Sequence, residues 1–360
     1  MLPDMRQADI SGGPAGGKMS RWRRRQHRLG VLYVLPALAL LSLMVAYPIG
    51  RSFYLSFFDY SILEPDSARF IGLDNYKRLV TGKATPKGDR PAEPALEAGA
   101  AAAPLAALPP PKPHLSQEHK AFINTMVFTA IFVPPYVILA LLIAMALNAL
   151  KRGVVVLRTI IFTPVVVSLA VSSVLFMLFY NPNFGLGHEM LKAASGWGPM
   201  PWLLRLVHLG PVPEGGILSG AGWATVGIVI LCLWNGIGIN VILFLVGLQR
   251  ISEDLYEAAR VDGAGAWQRF AHITLPQLGP TTFLVVLLSL IGAFKVFGQP
   301  FIMTGGGPED STLTFVMRLY KVAFVHGRFE LGFASALAYA LAVFIFAISL
   351  LVRRLNRPVE

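Results

Sequence analysis

Long apolar runs constrain this 360-residue chain more than any other feature. Six blocks, near 30–50, 121–149, 159–180, 221–248, 278–300 and 331–352, carry few or no charges. An α-helix rises about 1.5 Å per residue, so roughly 20 apolar residues cross the hydrocarbon core of a bilayer. The blocks are too long for strands and lack period-two alternation, which argues against a β-barrel. Only 14% of residues are charged, against about a quarter in an ordinary soluble domain. The reading is an all-α, polytopic membrane protein with six transmembrane helices. A signal peptide is the alternative for the first block, because Arg21, Arg23, Arg24, Arg25 and Arg28 precede it. The long polar lead and the absence of a small-residue cleavage site before Pro48 oppose that alternative.

The formal net charge of +11 invites a nucleic-acid partner. The basic residues lie beside the spans instead, where membrane orientation is decided. Six spans put both termini on one side. With that side cytoplasmic, segments 1–29, 151–158, 249–276 and 353–360 hold 16 Lys/Arg in 73 residues, and the external segments 51–120, 181–220 and 301–330 hold 14 in 140. The positive-inside rule therefore favours both termini inside, without a nucleic-acid role. The chain divides into a basic tail (1–29), a first span with an external Ala/Pro-rich loop (30–120), a five-helix core (121–352) and a short C-terminal segment (353–360).

"GGPAGGKMS" in the tail nearly matches a phosphate-binding loop, but Met19 stands where a hydroxyl must reach Mg²⁺, and no strand precedes it. The stretch from Thr81 to Lys120 contains "AAAPLAALPPPKPHL", without helical or strand periodicity, and reads as an extended linker. The lone Cys232 lies inside the fourth span and reads as a small packing residue. Pro134, Pro135 and Pro164 fall at the second and third spans, where proline bends helices and the freed carbonyls need new partners. No His/Cys metal cluster, catalytic triad or cofactor motif stands out, and the chain is expected to catalyse no bond chemistry.

One charged stretch, "EAARVDGAGAWQRFAHITLP" (Glu257 to Pro276), interrupts the apolar pattern between the fourth and fifth spans. Ser252 is placed to cap a helix, with Glu253 and Asp254 complementing its dipole. Leu255, Tyr256, Ala258, Ala259 and Val261 make a small-residue apolar face. Gly263 and Gly265 break it, Asp262 is placed to cap a second helix, and that helix, Ala266 to Leu275, should end before Pro276. An amphipathic pair resting on headgroups would carry a basic face. Residues 250–264 carry four acids, Glu253, Asp254, Glu257 and Asp262, against Arg250 and Arg260. Such a face fits a protein groove better than an anionic leaflet.

The stretch resembles the EAA loop of ATP-binding-cassette (ABC) importer permeases: Glu257-Ala258-Ala259, then Gly263, then Ile273-Thr274-Leu275-Pro276. "FIGLDNYKRL" (70–79), "NTMVFT" (124–129), "GLQRISEDLYEAARVDGA" (247–264) and "TGGGP" (304–308) are similar to the carbohydrate-uptake branch, of maltose and glycerol-3-phosphate type. The resemblance implies a type I importer permease core. It also implies a second, non-identical permease subunit, an ABC ATPase dimer that holds ATP and Mg²⁺, and an external solute-binding protein. It makes Glu257, Ala258, Ala259, Asp262, Gly263, Ala264 and Pro276 the ATPase-coupling residues. The basic tail and the insertion around 82–117 depart from the pattern.

For a substrate path, the fourth span offers Trp234, Asn235 and Asn240, the fifth Ser289 and Lys295, and the third Ser168, Ser172 and Ser173. Polar groups at membrane depth line watery paths or glue helices together. By resemblance, Asn235, Gly236, Ile239, Ser289, Gly292, Ala293 and Val296 match sugar-site positions. Lys295, some 17 residues into the expected fifth span and so near its outer boundary, is either a snorkelling cation or a cationic lip of the cavity. The function expected is a carbohydrate importer's permease subunit. A polyol phosphate such as glycerol-3-phosphate is the alternative substrate. An ion-driven transporter or a membrane scaffold that only recruits an ATPase are the alternative roles. The expected spans hold no Asp or Glu for ion coupling, which opposes the former.

Overall fold

The computed structural model describes residues 33–64, 66, 68–82, 116–150, 152–195, 211–325 and 329–355. The basic tail, its glycine-rich stretch and most of the Ala/Pro-rich insertion lie outside these residues. The contacts divide the chain into two units, Met1–Leu55 and Ser56–Glu360.

Of the first unit, residues 33–55 are described and form helix α1, Tyr33–Leu55, which ends later than the expected 50. A π turn over Ser42–Ala46 lies two residues before Pro48. The wider turn suits a proline, which lacks the N–H that a regular α turn would use.

The second unit begins with a two-stranded hairpin, β1 (Phe58–Asp59) and β2 (Arg69–Phe70), followed by α2 (Asp74–Thr81). The long α3 (Gln117–Ala149) opens on Ser116, whose hydroxyl accepts from the His119 N–H. Helix α3 runs through Pro134-Pro135 unbroken. Its buried residues Ala121, Thr125, Phe128, Phe132, Tyr136, Ala140, Ala144 and Leu147 recur every three or four positions, one continuous stripe. Phe128, Phe132 and Tyr136 stack along it, with centroids 5.5 and 4.6 Å apart.

That stripe packs on α7 (Ala221–Leu248), which matches the expected 221–248 and is the central helix of the bundle. Half of its most apolar window is buried, against a third for α3. In lipid, apolarity alone does not pull helices together, so close approach of small residues must. Gly238 shows this: a Cβ there would lie 2.8 Å from the Ile161 carbonyl oxygen.

The third block is not one straight span. It is α4 (Val154–Val166) and α5 (Leu169–Phe179), bent by 96° at Val167–Ser168. After α6 (Leu186–Ser195) and α7 come the short α8 (Glu253–Val261) and then α9 (Ala266–Gln277), which is bent by 68° from α10 (Gly279–Phe294). The expected fifth span, 278–300, is therefore shorter. Helix α10 stops at Phe294, and a separate α11 (Gly298–Thr304) follows. Helices α12 (Phe315–Phe324) and α13 (Leu331–Leu355) complete the unit. Among the described residues, four helices are long and apolar enough to cross a membrane, and each bent pair counted as one brings the number to six.

The hairpin and α2 cap the start of α13. Ser61 bridges Glu330, the Gly332 N–H donates to the Tyr60 carbonyl at 3.2 Å, and Arg78 pairs with Glu330 at 2.7 Å while lying over the Phe333 ring.

Candidate coupling loop and translocation path

Helix α8 starts at Ser252, in extended conformation but without a side-chain capping bond. Asp262 ends α8 instead of capping α9. Gly265 stands at the N-terminus of α9, where its N–H donates to Gln268 Oε1 at 2.7 Å. Gly263 has φ +78°, a left-handed conformation that L side chains adopt at a cost. No heavy atom lies within 4 Å of where its Cβ would be, so strain alone, not crowding, selects glycine. The Ala264 N–H reaches back to the Ala259 carbonyl at 2.8 Å and closes the turn.

The second helix does not stop before Pro276. A π turn over Phe270–Thr274 carries it through to Gln277, the same device that precedes Pro48. The Tyr256 and Thr274 hydroxyls meet at 2.8 Å and brace the two helices. Glu257, Ala258 and Asp262 are exposed, Ala259 and Ala264 half-buried and Pro276 exposed. Among the described residues, Glu257 has only the long, exposed contact to Arg260 at 3.8 Å. The apolar face is split: Tyr256 turns inward, while Val261 and Trp267 stand 88% and 73% exposed.

The expected path residues fall into two groups. Trp234, Ile239 and Gly292 are exposed on α7 and α10, alongside Ile242, Val246, Leu284 and Leu288. Each helix thus carries an exposed stripe. Asn240 and Ser289 are buried, and Asn240 Nδ2 donates to Ser289 Oγ at 3.1 Å between the helices. Ala293 and Val296 are buried as well, and half-buried Gly236 lies against the Tyr136 hydroxyl. Asn235 Nδ2 donates to the Pro164 carbonyl at 2.9 Å and to Ser172 Oγ at 3.3 Å, so it meets the α4–α5 elbow. Ser173 Oγ donates to the Leu169 carbonyl. Lys295 is expected toward one end of its span. It is exposed at the residue that ends α10.

A cavity of about 10 Å³, lined by Asn124, Phe128, Thr225, Ser311, Thr312 and Thr314 among others, suits one water-sized group. It is far too small for a sugar.

The sequence profile described as "Binding-protein-dependent transport system inner membrane component" matches residues 119–360. The chain belongs to this family. It is a family of ABC transporter permease subunits, not of enzymes. The probable ABC transporter permease protein YurN of Bacillus subtilis is 31% identical over 89% of this chain and 93% of that protein. The sulfoquinovosyl glycerol transport system permease protein SmoG of Agrobacterium fabrum is 30% identical over 93% and 92%. The lactose transport system permease protein LacF of Rhizobium radiobacter is 29% identical over 89% and 92%. In fold, the chain is similar to a solved bacterial ABC transporter involved in the import of the acidic polysaccharide alginate. The TM-score is 0.66 at 20% identity, covering 94% of this chain and 99% of that one.

The permease also holds features that sequence reasoning missed. The "TGGGP" stretch begins a loop fastened at many points. Asn124 Nδ2 donates to the Asp310 and Leu313 carbonyls at 2.6 and 3.1 Å, Lys120 donates to the Glu309 carbonyl, and Lys321 to the Gly305 carbonyl. Thr304 and Thr312 hydroxyls meet at 2.6 Å. Beside it, Arg318 donates to Glu118 Oε1 from Nε at 3.2 Å and from its terminal nitrogen at 2.7 Å, with both residues buried. Glu118 belongs to α3 because that helix begins four residues before the expected span. The only hint available was charge on both sides of the loop.

Proposed function

We propose that this permease subunit imports a carbohydrate, together with a second permease, an external solute-binding protein and a separate ABC ATPase. The observation that carries the reading is the α8–α9 loop. It stands outside the helical core, bears exposed acids and small residues, and is braced internally by the Tyr256–Thr274 bond. A surface of that kind supports docking into a groove of another protein, with Glu257, Ala258 and Ala259 as the contact face and the Gly263 turn setting its tilt. On this reading the loop and both chain termini are cytoplasmic, in keeping with the density of Lys and Arg. The exposed stripes of α7 and α10, with Trp234, Ile239 and Gly292, face the partner permease and line the path. Lys295 stands as a cation at one end of it. The buried Asn240–Ser289 pair acts as glue between the helices.

The carbohydrate assignment draws on relatives named for sulfoquinovosyl glycerol and lactose transport. Those names leave a polyol phosphate such as glycerol-3-phosphate unfavoured. The test is Ala258→Trp, chosen because Ala258 is exposed and its side chain supports nothing else in the fold. Uptake of radiolabelled sugars should be lost, together with recovery of the ATPase in a pull-down, while membrane abundance stays normal. Normal uptake and normal ATPase recovery would remove the loop from the coupling role. Wild-type cells that take up no carbohydrate from a panel through this system, with the ATPase still bound, would sink the substrate class alone.

A further inference from the structure

The cap on the start of α13 has two faces, and the core uses only one. Asn75, Tyr76 and Arg78 of α2 turn inward. Asn75 Nδ2 donates to the Ser56 and Phe58 carbonyls at 2.9 and 3.0 Å, and Arg78 holds Glu330. Leu73, Lys77 and Val80 follow the opposite helical stripe, four and three residues apart. Phe70, immediately before, packs edge-on against Phe58 but leaves its other side open. Phe70, Leu73 and Val80 are 67%, 58% and 74% exposed. A water-facing cap rarely leaves three large apolar groups on its outer side.

The position of this face identifies what covers it. The cap is bound to Glu330 and Gly332, the residues at the very start of α13, a helix long and apolar enough to cross the membrane. It therefore sits where that helix leaves the hydrocarbon. Lys77, between Leu73 and Val80, is paired at 3.0 Å with Asp74 on the exposed surface, so the face has apolar residues and a charged tip. That combination suits the boundary between headgroups and acyl chains. We propose that Phe70, Leu73 and Val80 insert into the interfacial layer of the bilayer at the Leu331 end of α13, with Lys77 at headgroup level. The cap then anchors the Leu331 end of that helix at a fixed depth. The inference needs only that the chain spans a membrane, and it is independent of the substrate, the ATPase and the side on which this end lies.

The test uses nitroxide labels on the full-length chain, with whatever subunits co-purify, in nanodiscs of phosphatidylethanolamine and phosphatidylglycerol. Leu73→Cys and Val80→Cys are labelled separately with Cys232 replaced by alanine, so a folding failure at one position leaves the other. Power saturation compares collisions with oxygen, which partitions into lipid, and with a water-soluble nickel chelate. Oxygen collisions should exceed nickel collisions several-fold at both positions. Nickel-dominated collisions would overturn the proposal in favour of a solvated face. Low collision rates with both reagents would overturn it in favour of a protein covering the cap.

Discussion

The loop from Glu253 to Gln277 and the loop from Thr304 to Thr314 both leave an apolar helix and turn on left-handed glycines, Gly263 in one and Gly305 and Gly306 in the other. They are held in opposite ways. Among the described residues, the hydrogen bonds of the first loop are local, the widest being Tyr256 to Thr274 across 18 positions. The second is fastened to α3 by Lys120 and Asn124, which lie 186 to 189 positions away in sequence. A loop bound only to itself can shift as one body against the bundle. A loop stitched to a distant helix belongs to the bundle and moves with it. Stability and coupling should therefore separate cleanly between the two.

The separation can be broken or sharpened by four substitutions, in order of expected effect on thermal stability. Arg318→Met leaves the Glu118 carboxylate buried and unpaired beside the fastened loop. Loss of one partner of a buried pair costs about 3–5 kcal/mol, so the melting temperature in nanodiscs should fall sharply. Replacing Glu118 as well, by Leu, should recover much of the loss. A lone Arg318→Met with wild-type melting would show that the pair contributes nothing.

Asn124→Leu comes next. It strips two carbonyls of a donor, a cost of about 1–3 kcal/mol, and differential scanning should show a smaller drop with uptake reduced in proportion to abundance. Gly263→Val inverts the pattern. A β-branched residue at φ +78° costs about 1–2 kcal/mol locally, yet no neighbour is crowded. Melting should fall by only a few degrees, while ATP-driven uptake falls at least tenfold. A large loss of melting temperature here would mean that the two loops are not independent. Glu257→Gln removes only an exposed contact of 3.8 Å to Arg260, worth about 0–1 kcal/mol. Melting should be unchanged, and any defect should appear only as weaker ATPase recovery.

What could be read in advance follows from the range of the interactions involved. Helix α7 was legible from end to end because its length, composition and closing polar residues are local facts. The glycine turn at Gly263 was legible for the same reason. The elbow at Val167–Ser168 was not. Pro164 announces a disturbance, but its size depends on Asn235 and Gly238 of another helix. Lys295 is expected near one end of its span and does end α10, but the break at 295–297 inside the apolar run from 278 to 300 is one that only packing reveals. Pro276 reads as a stop, and the π turn before it admits a continuing helix that no propensity indicates. The Glu118–Arg318 pair, 200 positions apart, leaves no trace in local pattern.

The elbow between α4 and α5 carries a consequence for how the chain is made. Its arms have 13 and 11 residues, about 20 and 16 Å long. Neither reaches across a hydrocarbon core of roughly 30 Å. The backbone at the bend is stable in lipid only where a polar group meets it, and Asn235, the group that meets the Pro164 carbonyl, lies 71 positions downstream. During translation that residue does not yet exist when segment 154–179 reaches the membrane. We expect the segment to enter as one continuous apolar helix and to fold at Val167 only once α7 stands beside it. Nascent chains truncated before Ala221 should therefore crosslink to lipid along both arms, and chains carrying α7 along fewer positions; identical patterns would count against a late bend. The third crossing is then shaped by the fourth, and the order of synthesis becomes part of the architecture.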